Sequence, residues 1–252
     1  MIPKIIHYCW FGGNPLPENS PKCIQSWKKY FPDYEIKEWN ESNYDVHKIP
    51  YISEAYNARK YAFVSDYARF DILYNYGGVY FDTDVEVIKP FNDILEKGGF
   101  MGFETAGMVA TGLGLGCNAG CELVYQIVDF YKTLHFLKPN GEYNLHTVVE
   151  YISDILKKNG LVVNNSIQHL DGITVYPSEY FCPESLVTGE INLTENTHSI
   201  HHYDGSWLPS RMKKLLAEKK YIHQHFDNKI VVFIISKLCV LKKVILEYFD
   251  RL

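Results

Sequence analysis

An apolar pattern at helical spacing runs from Tyr61 to Tyr76, stops at Gly77-Gly78, and passes straight into Val79-Tyr-Phe81 and the acidic pair Asp82-x-Asp84. The spacing predicts a helix ended by a glycine pair, then a short strand, then two carboxylates one residue apart. A turn that tight folds the helix back against the strand, so side chains on the helix can reach whatever the carboxylates hold. Two such oxygens make half of a divalent-metal site. Hard cations such as Mg²⁺ or Mn²⁺ take one or two carboxylates from a protein and complete their shell with substrate phosphate oxygens, which points to a diphosphate ligand. On the helix, Asp66 and Arg69 are three apart and share a face, with Ser65 at its edge. They read either as a solvated ion pair or, because the surroundings are aromatic and apolar, as a buried pair aimed at the ligand.

The flanking segments read as alternating strands and helices: strands at Lys4–Cys9 and Tyr34–Trp39, helices at Ser20–Tyr30, Asn118–Leu137 and Leu145–Asn159, and further strands at Gly99–Phe103, Ile173–Tyr176 and His198–Tyr203. This order predicts an α/β fold with a mainly parallel mixed sheet flanked by helices. Ligands in such sheets bind outside the carboxyl ends of the strands, where Trp10 and the Asp82/Asp84 pair both fall. Thr105–Gly116, with four glycines, lacks the Lys and spacing of a P-loop; it is expected to be a mobile loop walling the acceptor side, with few side chains that pack.

At 252 residues, 46% hydrophobic and 22% charged, the chain is long enough for one sizeable core. A net charge of −5 and the lack of a basic stretch interleaved with aromatics argue against nucleic acid. Six cysteines show no Cys-x-x-Cys framework, and Cys117 and Cys121 are expected to pack on adjacent turns of a helix. The N-terminus has no signal-peptide pattern, so a cytoplasmic location is expected. Residues 211–252 carry ten Lys/Arg against four Asp/Glu. They read as a basic amphipathic helical tail beyond a domain at 1–210. The tail is too interrupted by charge to span a bilayer; it fits either an interfacial helix on the inner membrane face or a helix packed on the domain or on a second subunit.

Ser65-Asp-Tyr-Ala-Arg69 and Tyr76-Gly-Gly-Val-Tyr-Phe-Asp-Thr-Asp84 resemble the donor-binding core of glycosyltransferase family 32, which is similar here to the large clostridial glucosylating toxins. The opening Ile2-Pro-Lys-Ile-Ile-His-Tyr-Cys-Trp-Phe-Gly-Gly13 and the later Ile200-His-His-Tyr-Asp-Gly-Ser-Trp207 resemble the family's start and closing signature. The resemblance implies a GT-A type, Rossmann-like fold and a retaining, Mn²⁺- or Mg²⁺-dependent transfer of a hexose or N-acetylhexosamine. The donor would be a nucleotide-diphosphate sugar, most simply a UDP-sugar, and the acceptor a saccharide or lipid-linked oligosaccharide in cell-surface polysaccharide assembly. It implies that Trp10 stacks on the base, that Ser65, Asp66, Arg69 and Tyr80 contact the donor, and that Ser206 and Trp207 close over the diphosphate. Asp82 and Asp84 would bind the metal with a third ligand from His201 or His202, between which position alone does not decide. Glu104 is a further candidate for orienting the sugar or the acceptor hydroxyl. Two alternatives stand beside this reading: a haloacid-dehalogenase-like phosphatase with Asp82 as nucleophile, and a non-catalytic sugar-nucleotide-binding protein.

Overall fold

The computed structural model describes residues 1–104, 107–185, 188–205 and 210–225. The chain divides into two compact units, Met1–Pro183 with Leu193–Trp207, and Glu184–Asn192 with Leu208–Leu252.

The first unit is built on β1 (Ile5–Cys9), α1 (Ser20–Tyr30), β2 (Glu35–Trp39), α2 (Pro50–Asn57), α3 (Tyr61–Tyr76), β3 (Gly78–Tyr80) and β4 (Val85–Val87). It continues through α4 (Asn92–Leu95), β5 (Gly99–Gly102), β6 (Leu115–Cys117), α5 (Glu122–Lys132), α6 (Val148–Lys158), β7 (Gln168–Leu170), β8 (Ile173–Tyr176), α7 (Ser178–Phe181) and β9 (Ser199–His201). Seven strands form one sheet in the order β2-β1-β3-β6-β5-β8-β7. β2, β1, β3, β5 and β8 point one way, and β6 and β7 are reversed.

Period-two alternation along the strands feeds two cores. Ile6, Tyr8, Val79 and Phe81 face a cluster with Cys23, Trp27 and Phe31 of the α1 side, whereas Cys9, Tyr80 and Leu115 face α2, α3, α5 and α6. α3 is buried along most of its length. It stops at Gly77 and Gly78, with φ of 62° and 105°, because the chain must reverse where no side chain fits: a Cβ on Gly78 would lie 2.7 Å from Ile5 O and 2.9 Å from His7 Nε2.

The glycine-rich stretch packs from Val109 onward, against the expectation that few of its side chains would. Val109, Ala110, Thr111, Leu113 and Leu115 are all buried, and β6 lies between β3 and β5 in the middle of the sheet. The glycines misled because Gly116 has no side chain of its own to pack; the ring of Phe100, its cross-strand partner, covers it instead. The helix expected at Asn118–Leu137 is shorter, and Cys117 and Cys121 are not on one helix: the first ends β6 and the second caps α5.

The second unit contains α8 (Ser210–His225), where Lys220 Nζ pairs with Glu184 Oε1 at 2.6 Å. The apolar tail segments beyond His225 lie outside the described residues. No described helix is long and apolar enough to cross a membrane.

Candidate active site

Asp82, Thr83 and Asp84 form the turn between β3 and β4. Three residues are a short strand, and β4 is held from the side by α1: Trp27 Nε1 donates to Val85 O at 2.8 Å, and Val87 N donates to Ser26 Oγ at 2.9 Å. On its other edge β4 pairs antiparallel with β9, Val85 opposite His201. That pairing brings a histidine from more than a hundred residues downstream beside the acidic turn.

His201 Nε2 lies 3.2 Å from Asp84 Oδ1, and the backbone N–H of Asp204 donates to Asp84 Oδ2 at 3.0 Å. Burial opposes the Asp84 charge, but the His201 ring and the Asp204 N–H outweigh it and draw the carboxyl down to about 2. For His201, burial again works against the charge, and Asp84, with help from Asp82 and Glu104, lifts the ring to about 9. Ligand atoms of Asp82, Asp84 and His201 all lie within 4.8 Å of one another. Among the described residues His201 Nδ1 is buried without a hydrogen-bond partner, and so is Asp204 Oδ2. Two carboxylates, one imidazole and spare polar atoms make a donor set that fits a divalent ion. His202 points elsewhere, to Glu86 Oε2 at 2.8 Å, so it does not join this cluster.

On the α3 side, Arg69 ties the pieces together. Its Nη2 is 2.8 Å from Asp66 Oδ1 and 3.4 Å from Asp82 Oδ1, its Nε donates to Ser65 O at 3.2 Å, and its plane lies 4.9 Å from the Tyr80 ring centre. The solvated-pair alternative is therefore excluded: the Arg69 side chain is 5% exposed. Burial disfavours its charge, yet Asp82, Tyr80 and Asp66 raise its pKa. Burial pushes Asp66 up to about 7 in spite of Arg69. Tyr80 donates its hydroxyl to Asp82 Oδ1 at 2.8 Å, fixing that carboxylate from below.

Residues 17–100 match the family model described as "Glycosyltransferase sugar-binding region containing DXD motif". That stretch of the chain is similar to a DXD glycosyltransferase sugar-binding region. It is 32% identical over 111 residues to inositol phosphoceramide mannosyltransferase 1 of Schizosaccharomyces pombe, covering 40% of this chain and 33% of that protein. It is 27% identical over 243 residues to an uncharacterized glycosyltransferase of Acanthamoeba polyphaga mimivirus, covering 88% and 90% of the two chains. The chain thus spans about a third of the yeast relative and most of the viral one. Among solved structures, the PaToxG glycosyltransferase superposes with a TM-score of 0.51 at 19% identity, over 62% of this chain and 69% of that one, which establishes the GT-A fold. The phosphatase alternative falls with this match, and the carboxylate it would use as nucleophile is tied to Tyr80 and Arg69.

The remaining residues singled out in the sequence are placed as follows. Trp10 follows β1 and donates its indole N–H to Asn14 O at 2.6 Å. Glu104, just past β5, is pushed up by burial against the pull of His201. Ser206 and Trp207 lie outside the described residues. The DXD region also depends on residues that sequence reasoning passed over. Gly112 O accepts from Asp82 N at 3.1 Å, and the bare Cα of Gly112 faces the Asp82 carboxylate. Tyr203 holds a left-handed φ of 53° and packs its ring 4.4 Å from that of His201.

Proposed function

We propose that the chain is a metal-dependent, retaining glycosyltransferase that moves a hexose or N-acetylhexosamine from a nucleotide-diphosphate sugar to a saccharide or lipid-linked acceptor. The observation that carries this reading is the convergence of Asp82, Asp84 and His201 beside the buried Asp66–Arg69 pair within and next to the DXD region. Asp82, Asp84 and His201 would hold Mn²⁺ or Mg²⁺, the imidazole favouring Mn²⁺. When bound, the ion supplies charge neutralisation to the departing diphosphate without any proton transfer.

The protein's own groups do the rest. Arg69 keeps its charge in a dry site, where it stabilises the anionic donor and orients the Asp82 carboxylate. Asp66, fixed at 2.8 Å from Arg69, presents its second oxygen to a donor hydroxyl. Trp10 at the end of β1 offers a ring for the base. Among the described residues no side chain stands as a dedicated nucleophile, which agrees with transfer on one face of the sugar, the leaving phosphate taking the acceptor proton. Glu104 lies on the His201 side, where it orients the acceptor. A role in cell-surface polysaccharide assembly on the cytoplasmic membrane face rests on the family resemblance alone. The name of the yeast relative adds a mannosyl donor and a phosphoinositol lipid acceptor to those worth testing.

The test is thermal stabilisation of the purified chain by UDP-, GDP-, CMP- and dTDP-sugars, each with and without Mn²⁺. A ligand at a hundredfold excess over its Kd stabilises the native state by about 2.7 kcal/mol. A metal-dependent shift with one nucleotide sugar, followed by transfer from it, is the expected result. No shift with any of them would overturn the proposal.

A further inference from the structure

The chain leaves β9 through a turn that wraps one aspartate. His202 N donates to Asp84 O and Asp204 N to Asp84 Oδ2, both at 3.0 Å, while His201 Nε2 lies 3.2 Å from Asp84 Oδ1. Two N–H groups so close along the chain converge on one residue when the residue between them takes a left-handed backbone. Tyr203 does so, with a φ of 53°. Glycine adopts that conformation without steric cost, and Asn or Asp with little. Of the non-glycine residues with such a φ among those described, Arg59, Asn165, Asp171 and Tyr203, only Tyr203 is aromatic. A bulky side chain kept at a strained position points to a task for that side chain.

The contacts of the Tyr203 side chain define the task. Its ring stands edge-on to the His201 imidazole, with 4.4 Å between centres and 65° between planes, and its hydroxyl is hydrogen-bonded to the Cys182 sulfur at 2.8 Å. Cys182 is buried directly after α7, so the far end of the tyrosine is fixed to the core. On the imidazole, Nε2 faces Asp84, whereas Nδ1 is buried without a hydrogen-bond partner among the described residues. A histidine that binds a metal ordinarily has its second nitrogen held by a hydrogen bond, which fixes the ring. Where Nδ1 lacks that bond, packing has to set the orientation, and the ring packed edge-on to His201 is that of Tyr203.

We propose that Tyr203 is a positioning residue: its ring, anchored on Cys182, holds the His201 imidazole in the orientation that completes the Asp82–Asp84–His201 donor set. The inference rests on the divalent-ion reading of that set, whereas the contact between the two rings does not. A tyrosine acting in this way affects the ion through His201 alone, so its removal costs no more affinity than loss of the imidazole.

The experiment measures Mn²⁺ binding to the full chain by calorimetry, comparing the parent with Tyr203→Gly, Tyr203→Phe and His201→Ala, each with a melting curve. Tyr203→Gly keeps the left-handed turn and removes the ring. Affinity is expected to fall by about tenfold or more, the range for losing a group that orients a metal-bound histidine, and by no more than in His201→Ala. Tyr203→Phe keeps the ring and is expected to recover most of that loss. In the metal-free parent, the His201 ring protons should carry a ring-current shift in NMR spectra, abolished by Tyr203→Gly and retained in Tyr203→Phe, which reads the contact without any ion. Unchanged affinity in Tyr203→Gly, a loss larger than that of His201→Ala, or His201 signals without the shift in the parent would overturn this inference alone. A parent chain that shows the shift but binds no Mn²⁺ would overturn the metal reading, and this inference with it.

Discussion

Replacing Gly112 by alanine tests whether the close packing behind Asp82 sets the geometry of the acidic turn. The backbone at Gly112 is not left-handed, so the substitution acts through its added methyl alone. That Cβ would overlap Asp82 Oδ2 and sit 3.0 Å from Asp82 Cγ and 3.4 Å from Arg69 Nη1. The carboxylate cannot simply swing aside, because it holds the Tyr80 hydroxyl at 2.8 Å and the Arg69 guanidinium at 3.4 Å. Relief therefore requires the carboxylate or the 110–113 segment to move by about 1 Å. A displacement of that size in a positioned catalytic group costs on the order of 10²-fold in rate, or about 2.7 kcal/mol of transition-state stabilisation. The overpacking itself costs about 1–3 kcal/mol of stability, which a chain with this much buried surface can absorb. The assay is kcat/KM with the donor identified by the thermal screen, alongside calorimetric Mn²⁺ affinity and a melting curve. A Gly112→Ala chain that melts as a folded protein and keeps the parent kcat/KM and metal affinity within about twofold would refute the argument, since that range is below a 1 kcal/mol effect.

Further outcomes follow from other contacts. His7 accepts the Trp39 indole N–H at 3.0 Å through Nδ1 and donates its Nε2–H to Gly77 O at 2.9 Å, so the network assigns the neutral Nε2–H tautomer. Burial, against the pull of Gly77 O, lowers it to about 4 from 6.5, so the unfolded chain binds the proton more tightly; stability is full above pH 6.5 and falls by about 3 kcal/mol as pH drops through 4, and chemical denaturation of His7→Phe across that range should show a shallower pH slope than the parent. Arg69→Lys keeps the charge but loses the fork that joins Asp66, Asp82 and Ser65 O; donor-dependent thermal stabilisation should fall at least tenfold in apparent affinity, and an unchanged affinity would remove Arg69 from the donor site. Trp27→Phe leaves Val85 O without its donor and should cost about 1–3 kcal/mol in denaturant titration, with a larger loss of Mn²⁺ affinity than a remote core substitution of equal cost.

The parts of the fold that were legible in the sequence are those where local pattern and tertiary structure agree. α1 and α3 occupy Ser20–Tyr30 and Tyr61–Tyr76, the spans that periodicity, Pro21 and the glycine pair delimit. The segment at 109–117 was misjudged because its packing partners, Phe100 and Phe81, come from other strands, and a glycine-rich stretch carries no local sign of them. β4 was invisible for the same reason. Three residues have no periodicity to measure, and the strand exists through α1 on one side and β9 on the other. The acidic pair was readable as chemistry, since an Asp-x-Asp after a short apolar run states its purpose in residue types. Which histidine joins it was not, because adjacent residues of a strand point to opposite faces and only the register of β9 with β4 decides that His201 faces Asp84 and His202 faces Glu86.

That register has a kinetic side. Asp84 belongs to a segment whose neighbours in sequence, α3 and β3, also surround it in space, but its imidazole partner arrives from a strand more than a hundred residues later. Closing so long a loop is the slow, entropically expensive part of assembling a chain. The sheet can form around β1, β3 and β6 before β9 docks, so a folding chain would pass through a stage with its core built and the Asp82–Asp84–His201 cluster still open. If that cluster holds a divalent ion as proposed, affinity for it would be a late marker of maturation, appearing after the bulk of the hydrophobic burial. In a refolding experiment, tryptophan burial should precede competence to bind Mn²⁺, and the delay between them measures the docking of one three-residue strand.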